Sequence, residues 1–151
     1  MTTHPTIFII DDDLAVRDSL ALMLEQEGLR VEQFDSAEAF LAMELAACCG
    51  CAIVDIRMQG MDGLQLQAEL TRRGVLLPVI FLTGHGSIPM SVNAIKAGAV
   101  DFLTKPVSRA QLLAAVRSAI QIDERLLAQV AHNQEALSRL AGLTSREREV
   151  L

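Results

Sequence analysis

The chain has 151 residues, of which 51% are hydrophobic and only 3% aromatic, so one domain of ordinary size can bury an aliphatic core. Its net charge of −6 and pI near 5.0 argue against a nucleic-acid or anionic-membrane surface within this chain. The apolar runs are too short to span a bilayer and no signal-peptide pattern opens the chain, which predicts a cytoplasmic protein without a membrane partner.

The first part of the chain alternates between short apolar segments and amphipathic ones. Residues 6–10 (TIFII) predict a buried strand. Residues 14–27 place apolar side chains on one face, with Asp13 before them as a helix cap and Gly28 after them as a helix end. Residues 29–34 alternate apolar and polar side chains, which indicates a half-exposed strand at a sheet edge.

The middle of the chain continues this alternation. Ser36 is a predicted N-cap for a second helix over residues 36–47. Residues 51–55 (CAIVD) predict a strand that is buried on both faces and ends in Asp55. A glycine-containing loop follows, and residues 64–73 predict a third helix.

Two more strand–helix units complete the pattern. Residues 78–82 predict a buried strand and residues 100–103 a short one. Between them Ser87 caps a predicted helix that runs to residue 96, and a fifth helix begins near Ser108. Strands alternating with helices predict an α/β fold of the flavodoxin-like, doubly wound type, with a five-stranded parallel sheet in the order 2-1-3-4-5.

An extended C-terminal helix is predicted after the last strand, because neither Gly nor Pro occurs between Ser108 and Gly142. Its apolar residues recur at spacings of three and four, at Leu113, Val116, Ile120, Leu127, Val130, Leu137 and Ala141. Asp123 and Gln134 occupy the same register as two polar breaks. This heptad-like stripe predicts packing on the sheet at first and departure from the domain beyond about Ile122. The remainder is either a coiled coil between two chains or a solvated linker helix.

The cysteines and the chain's end carry less information. Cys48, Cys49 and Cys51 are too clustered for a disulfide framework and lack further soft ligands nearby, so we interpret them as small apolar residues beside a buried strand. In residues 143–151 (LTSREREVL), Thr144 and the Glu three positions later have the spacing of a helix capping box. Two turns cannot form a domain, which suggests that the chain is cut within a longer protein.

Polar side chains lie where four predicted strands end. Carboxyl ends of parallel strands meet at one sheet edge, so a single crevice should hold Asp11, Asp12, Asp55, Thr83 and Lys105. Three neighbouring carboxylates repel one another, and a hard cation such as Mg²⁺ relieves that repulsion. With Lys105 and a hydroxyl added, the site suits a phosphoryl group, and Asp55 is the candidate nucleophile.

These motifs resemble the receiver domain of two-component response regulators. The resemblance covers residues 6 to about 120 and is carried by four segments in order, IIDDD, VDIRM, LTGHG and DFLTKP. Residues 143–151 resemble the first helix of a LuxR-type helix-turn-helix. Together they are similar to regulators of the nitrogen-fixation and styrene-catabolism type, in which the receiver comes first and the DNA-binding domain second.

The resemblance implies a role for each acidic residue of the site. Asp55 would accept the phosphoryl group from a sensor histidine kinase, Asp12 would bind Mg²⁺ directly, and Asp11 would bind it largely through water. The backbone carbonyl of Arg57 would be a further ligand. Asp13 is better explained as a helix cap, and we leave it out of the metal set.

The resemblance also implies how the phosphoryl group is sensed. Lys105 would pair with the phosphate, and its bond to Pro106 would be cis. The Thr83 hydroxyl would move towards the phosphoryl oxygens, and Phe102 would turn inward behind it. His85 would lie on the rim of the site, where it tunes the lifetime of the phosphoaspartate.

One residue departs from the family's pattern. Gln59 stands where a proline usually follows Met in the loop after the phosphorylated Asp. The predicted chemistry is unaffected, because Asp55, the metal ligands, Thr83 and Lys105 are all present. The stiffness of this loop is the property that the departure puts in question.

The predicted function is a phosphorylation switch rather than an enzyme. Phosphorylation of Asp55 would change the face formed by the helix after Ser87, the last strand and the helix after Ser108, and would control dimerisation and transcription. The predicted parts are a receiver domain over residues 1–120, a helical linker over 121–142, and the truncated start of a DNA-binding domain over 143–151.

Two alternatives stay open at this point. An aspartyl phosphatase of the haloacid dehalogenase type also uses an Asp nucleophile and Mg²⁺, and its Asp-x-Asp motif is formally present in Asp11–Asp13, although Asp55 would then be idle. A stand-alone receiver would bind a protein partner and never DNA. This chain contains no recognition helix for the major groove, so we expect specific DNA binding from the full-length protein only.

Overall fold

The protein has a five-stranded parallel sheet in the order β2-β1-β3-β4-β5, as predicted. The computed structural model describes residues 5–43, 45, 49–84 and 99–123. The strands are β1 (Thr6–Ile10), β2 (Arg30–Phe34), β3 (Gly50–Asp55), β4 (Val79–Thr83) and β5 (Asp101–Thr104). Every neighbouring pair is parallel. Because of the strand order, the first and third strands lie side by side at the point where that order reverses.

Helices cover both faces of the sheet. In the described part of the chain they are α1 (Leu14–Glu25), α2 (Ala37–Leu41), α3 (Gly63–Arg72) and α4 (residues 109–123). One core cluster joins the sheet to α1 and α4, and the other joins it to α2 and α3. The predicted helix over residues 87–96 and the C-terminal residues beyond 123 lie outside the described part of the chain.

The central strands are apolar throughout because both of their faces are buried. Along β1, Ile7 and Ile9 enter the cluster under α1 and α4, whereas Phe8 and Ile10 enter the cluster under α2 and α3. β3 repeats this alternation, and all six of its residues are buried. By contrast β2 is an edge strand with mostly exposed or half-buried side chains, as its alternating sequence predicted.

The predicted second helix was too long. It was expected over residues 36–47, but α2 ends at Leu41 with Ala42 as its C-cap, while the predicted Ser36 cap is confirmed by a 3.1 Å hydrogen bond from the Ala39 N–H. This helix follows the carboxyl end of β2, and the chain must return from it to the amino end of β3. Leu45 is buried in the core on the way, so its apolar side chain had mimicked a longer helical stripe.

The other boundaries moved by one or two residues. The first helix ends at Glu25, and Gly28 follows with a φ of +77°. α3 begins at Gly63, one residue before the predicted start. β4 and β5 each begin and end one residue later than predicted. Helix and strand ends are the least determined features of a sequence pattern, because terminal residues lack a full set of neighbours.

The last described residue of α4, Asp123, lies close to the point, about Ile122, where the helix was predicted to leave the domain. Its side chain is 3% exposed, and its Oδ2 accepts the Gly50 N–H at 2.8 Å, below the first residue of β3. The helix is therefore held against the sheet at least as far as Asp123. The predicted departure itself concerns residues outside the described part of the chain.

Cys51 lies in the same region and supports the apolar interpretation of the cysteines. It is a fully buried free thiol in the cluster under α1 and α4. Burial, followed by the nearby negative charge of Asp123, raises the pKa of Cys51 to about 12. The thiol is therefore protonated and unreactive at neutral pH.

In the described residues, no helix combines the length and hydrophobicity that a membrane span requires.

Candidate functional site

Three predicted acidic residues meet at the carboxyl edge of the sheet. Asp11 follows β1 and Asp55 ends β3, and these two strands are direct neighbours. One carboxylate oxygen from each of Asp11, Asp12 and Asp55 lies within 4.8 Å of the others. Asp11 and Asp55 are buried, whereas Asp12 is exposed and faces solvent. The doubly wound topology thus assembles the cluster from residues 44 positions apart.

Lys105, the residue directly after β5, brings a positive charge to this cluster. The Lys105 Nζ lies 2.9 Å from Asp11 Oδ2 and 3.3 Å from Asp55 Oδ2. Its backbone N–H donates to the Thr83 carbonyl at 2.7 Å, and its peptide bond to Pro106 is cis, as the resemblance implied. Burial lowers the pKa of Lys105, but the two carboxylates outweigh that effect and the pKa is raised, so the side chain is an ammonium at neutral pH.

The carboxyl group of Asp55 has a raised pKa in this site. Burial, and then the negative charge of Asp11, raise the pKa of Asp55 above its ordinary value. Lys105 and the Arg57 N–H, which donates to Asp55 Oδ1 at 3.1 Å, only partly oppose this. The ionised form is thus held under electrostatic repulsion, which a bound cation would relieve.

The donor set fits a small divalent cation. All three side chains offer hard carboxylate oxygens, and exposed Asp12 leaves one side open to the waters that Mg²⁺ retains. Asp11 Oδ2 is buried and close to the Lys105 ammonium, yet within the described part of the chain it accepts no hydrogen bond of acceptable geometry. A buried carboxylate oxygen with this spare capacity suits a metal ligand or an ordered water bound to one. The ligand role of the Arg57 carbonyl stays a prediction.

Thr83 and Phe102 lie on β4 and β5, on the side of β3 that faces away from β1. Thr83 ends β4, is fully buried, and pairs in register with Thr104 of β5. Phe102 is partly buried and packs against the core cluster under α2 and α3. Their proposed movement on phosphorylation stays a prediction, and His85 lies outside the described residues.

Several supporting contacts were not foreseen from the sequence. The Arg17 Nη1 donates to the Asp11 carbonyl at 2.6 Å, and the Met61 N–H donates to Glu38 Oε1 at 2.8 Å. Asp13 does cap α1, as predicted, by accepting the Ala15 N–H at 2.9 Å. The cap could be predicted because its partners are sequence neighbours, whereas the contacts of Arg17 and Glu38 follow no sequence spacing rule.

Comparisons of the sequence and of the fold with known proteins agree on one family. A sequence model described as the response regulator receiver domain matches residues 7–117. The transcriptional regulatory protein FixJ of Azorhizobium caulinodans is 46% identical over 145 residues, which cover 96% of this chain and 69% of FixJ. The response regulator protein TodT of Pseudomonas putida is 43% identical, with 96% of this chain and 64% of TodT covered. The chain thus spans about two thirds of the length of these relatives.

Solved structures agree with these relatives. The response regulator StyR superimposes with a TM-score of 0.82 and 40% identity, over 91% of this chain and 69% of StyR. The N-terminal part of FixJ, solved alone, gives a TM-score of 0.72 and 41% identity, over 80% of this chain and 96% of that structure. With the predicted sheet order, the acidic cluster and these matches in agreement, the chain belongs to the response regulator receiver domain family.

Proposed function

We propose that Asp55 accepts a phosphoryl group from a sensor histidine kinase in a Mg²⁺-dependent reaction. The observation that carries this proposal is the position of Asp55, which ends β3 between a second buried carboxylate and a lysine ammonium. A carboxylate with a raised pKa in such a cluster is a candidate for chemistry rather than for structure.

The reaction transfers one group between two nucleophiles. A carboxylate oxygen of Asp55 attacks the phosphorus of a phosphohistidine, the bond between phosphorus and the imidazole nitrogen breaks, and the neutral imidazole leaves. Lys105 Nζ, 3.3 Å from Asp55 Oδ2, is placed to pair with the negative oxygens of the transferred group. A bound Mg²⁺, held by Asp11, Asp12, Asp55 and the Arg57 carbonyl, would supply charge neutralisation during transfer.

The output would follow from the residues next to the site. Thr83 is buried one strand away from Asp55, and its hydroxyl is the proposed sensor of the phosphoryl oxygens. Phe102, on the neighbouring strand, is only partly buried, and it would turn inward when Thr83 moves. This change would alter the face of β5 and its neighbouring helices, and so promote homodimer formation.

Control of transcription is the proposed role of the whole protein. FixJ is described as a transcriptional regulatory protein, and this chain is similar to two thirds of it. We therefore propose a receiver domain over residues 1–120, a helical linker over 121–142 and the start of a LuxR-type DNA-binding domain over 143–151. Specific DNA binding would belong to the full-length protein, and a cytoplasmic location would suit that role.

The phosphatase alternative is weaker. It needs the third residue of Asp11–Asp13 as an acid at the site, but the Asp13 carboxylate accepts the N–H groups of Ala15 and Val16 as a helix cap. It also leaves unexplained why Asp55 contacts Lys105 at the centre of the cluster. Repeated turnover of a simple phosphate ester would support the phosphatase and contradict the switch.

The test is phosphorylation with Mg²⁺ and acetyl phosphate, a small phosphodonor, followed by intact-mass measurement. We expect one added phosphoryl group on the wild-type chain and none on Asp55→Asn, because an amide is not a nucleophile of comparable strength. Asp35→Asn, which changes an exposed residue beyond β2, is the matched control and should be phosphorylated normally. A phosphoryl group retained by Asp55→Asn would refute the assignment.

Dimerisation needs a separate measurement. Sedimentation of the wild-type chain with Mg²⁺ and beryllofluoride, a phosphoryl mimic, should shift towards dimer, and the shift should disappear in Asp55→Asn. The absence of a shift in the wild-type chain would contradict phosphorylation-controlled dimerisation while leaving phosphoryl transfer to Asp55 intact.

A further inference from the structure

The loop after Asp55 contains few residues that restrict its backbone conformation. It runs from Ile56 to α3 beside the acidic cluster, and its residues 56–63 include no proline to restrict the backbone. Gly60 at the tip has a φ of +78°, in the left-handed region that favours glycine. A loop with this composition has a large conformational entropy unless contacts restrain it.

Both ends of the loop are held tightly. The Ile56 N–H donates to the Leu82 carbonyl at 2.9 Å, and the Gly63 N–H closes the loop by donating to the Ile56 carbonyl at 3.0 Å. A Cβ at Gly63 would lie 2.7 Å from the Asp55 carbonyl oxygen, so the loop's exit is packed against the residue that opens it. Asp62 then begins α3 with a capping box.

The tip of the loop is held by a different element. The Met61 N–H donates to Glu38 Oε1 at 2.8 Å, and Glu38 lies in the first turn of α2, 23 residues earlier. A Cβ built on Gly60 would lie only 2.9 Å from the same oxygen, so the carboxylate approaches the loop where the side chain is missing. The hydrogen bonds from Met61 and from its own backbone N–H lower the pKa of Glu38, so the carboxylate form makes this contact at neutral pH.

We propose that Glu38 is a positioning residue for the phosphoryl-transfer site, because it holds the tip of the 57–62 loop. This inference rests on the function proposed above. The loop begins with Arg57, whose N–H donates to Asp55 Oδ1 at 3.1 Å and whose carbonyl is the proposed fourth metal ligand. The tip is bonded to α2 through Met61, and the two ends of the loop are bonded to each other through Ile56 and Gly63. Residues 57–60 lie between these fixed points, so their backbone conformation is restrained. The Arg57 backbone is then presented to the site without an ordering cost at the moment of metal binding.

The contact also accounts for Gln59. The sequence raised the question of how this loop keeps its shape with Gln59 at a position where proline would restrict the backbone. A hydrogen bond from the loop to a carboxylate on a neighbouring helix restrains the same segment from outside. Glu38 itself is exposed and contributes little to the core, so the effect of removing it should concentrate on the loop and the metal.

The test compares Glu38→Ala, which removes the acceptor, with Glu38→Gln, which keeps an oxygen at the same place. Mg²⁺ affinity is read from the dependence of the melting temperature on Mg²⁺ concentration, and phosphorylation from intact mass with acetyl phosphate. We expect Glu38→Ala to bind Mg²⁺ about 3- to 10-fold more weakly, less than the 10- to 100-fold typical of groups bonded directly to a ligand. Glu38→Gln should retain near wild-type affinity.

Two further readouts separate positioning from a general structural effect. Amide hydrogen exchange at Met61 should accelerate in Glu38→Ala, and saturating Mg²⁺ should restore most of its phosphorylation rate. Glu32→Ala, at an exposed position on β2, is the control and should change neither property.

Unchanged Mg²⁺ affinity and unchanged Met61 exchange in Glu38→Ala would overturn the inference, provided that the wild-type chain is phosphorylated on Asp55. Failure of the wild-type chain itself to bind Mg²⁺ or to accept the phosphoryl group would instead refute the proposed function. The two outcomes are therefore distinguishable in one set of measurements.

Discussion

Two buried carboxylates lie at opposite ends of β3 and behave in opposite ways. Asp55 ends the strand and is 6% exposed, and Asp123 lies below its first residue and is 3% exposed. Asp55 shares its edge with the negative charge of Asp11, and its pKa is raised. Asp123 instead accepts the backbone N–H of Gly50 at 2.8 Å. Equal burial therefore does not imply an equal role.

The difference lies in what each carboxylate is paired with. A carboxylate that satisfies a buried N–H completes the hydrogen bonding of the fold and strengthens it. A carboxylate beside a second carboxylate raises the energy of the folded chain, which persists only because other contacts outweigh it. We infer that the amino edge of the sheet around Asp123 is structural, and that the carboxyl edge around Asp55 holds the site. Three stability measurements test this contrast.

The largest effect is expected at the amino edge, for Gly50→Ala. Gly50 has a φ of +122°, and a Cβ there would lie 2.0 Å from the Thr6 carbonyl oxygen. The combined strain and overlap should lower the free energy of unfolding by about 3 to 5 kcal/mol in urea denaturation. Gly28→Ala is the control, because Gly28 has a similar requirement, a φ of +77°, but no atom within 4 Å of the added group. Equal losses in the two variants would contradict the tight junction.

A smaller effect is expected for Asp123→Ala, which removes the acceptor of the Gly50 N–H. Loss of a charge-assisted hydrogen bond, with a buried donor left behind, should cost about 1.5 to 3 kcal/mol of unfolding free energy. Asp123→Asn keeps an acceptor oxygen and should lose less. Asp18→Ala, on the exposed side of α1, should be neutral. A neutral Asp123→Ala would show that this end of α4 does not depend on the contact.

The smallest effect, with the opposite sign, is expected for Asp55→Asn. The raised pKa of Asp55 means that its ionised form is less favourable in the folded than in the unfolded chain. Its contribution is therefore absent below the unfolded pKa of 3.8 and becomes destabilising as the pH rises through the folded pKa. At pH 7 without Mg²⁺, Asp55→Asn should melt at a higher temperature than the wild-type chain, and the advantage should shrink at acidic pH.

Magnesium should affect the two ends of β3 differently. The ion should stabilise the wild-type chain more than Asp55→Asn, because it relieves a repulsion that the amide no longer has. It should leave the cost of Asp123→Ala unchanged, since that contact lies at the other end of β3. A melting temperature of Asp55→Asn below that of the wild-type chain without Mg²⁺ would show that Lys105 already compensates the crowding at the site.

The fold and the acidic cluster were predictable from the sequence for a local reason. Apolar runs that end in Asp or Thr are visible within five or six residues, and parallel topology then places all those ends at one edge. Helix caps such as Asp13 were predictable because donor and acceptor are sequence neighbours. The second helix was mispredicted because the buried Leu45 fits a helical stripe as well as it fits a loop under the core.

The order of strands and helices, the aliphatic core and the residue types at the carboxyl edge therefore follow from local sequence patterns. Which buried carboxylate is paired with a donor, and which lies beside a second carboxylate, depends on long-range packing, because Asp123 and Gly50 are 73 residues apart. The contact of Glu38 with Met61 in the loop after Asp55, 23 residues away, likewise depends on long-range packing. Periodicity and capping act over a few residues, whereas the pairing of a buried charge depends on which distant segments the closed sheet brings together.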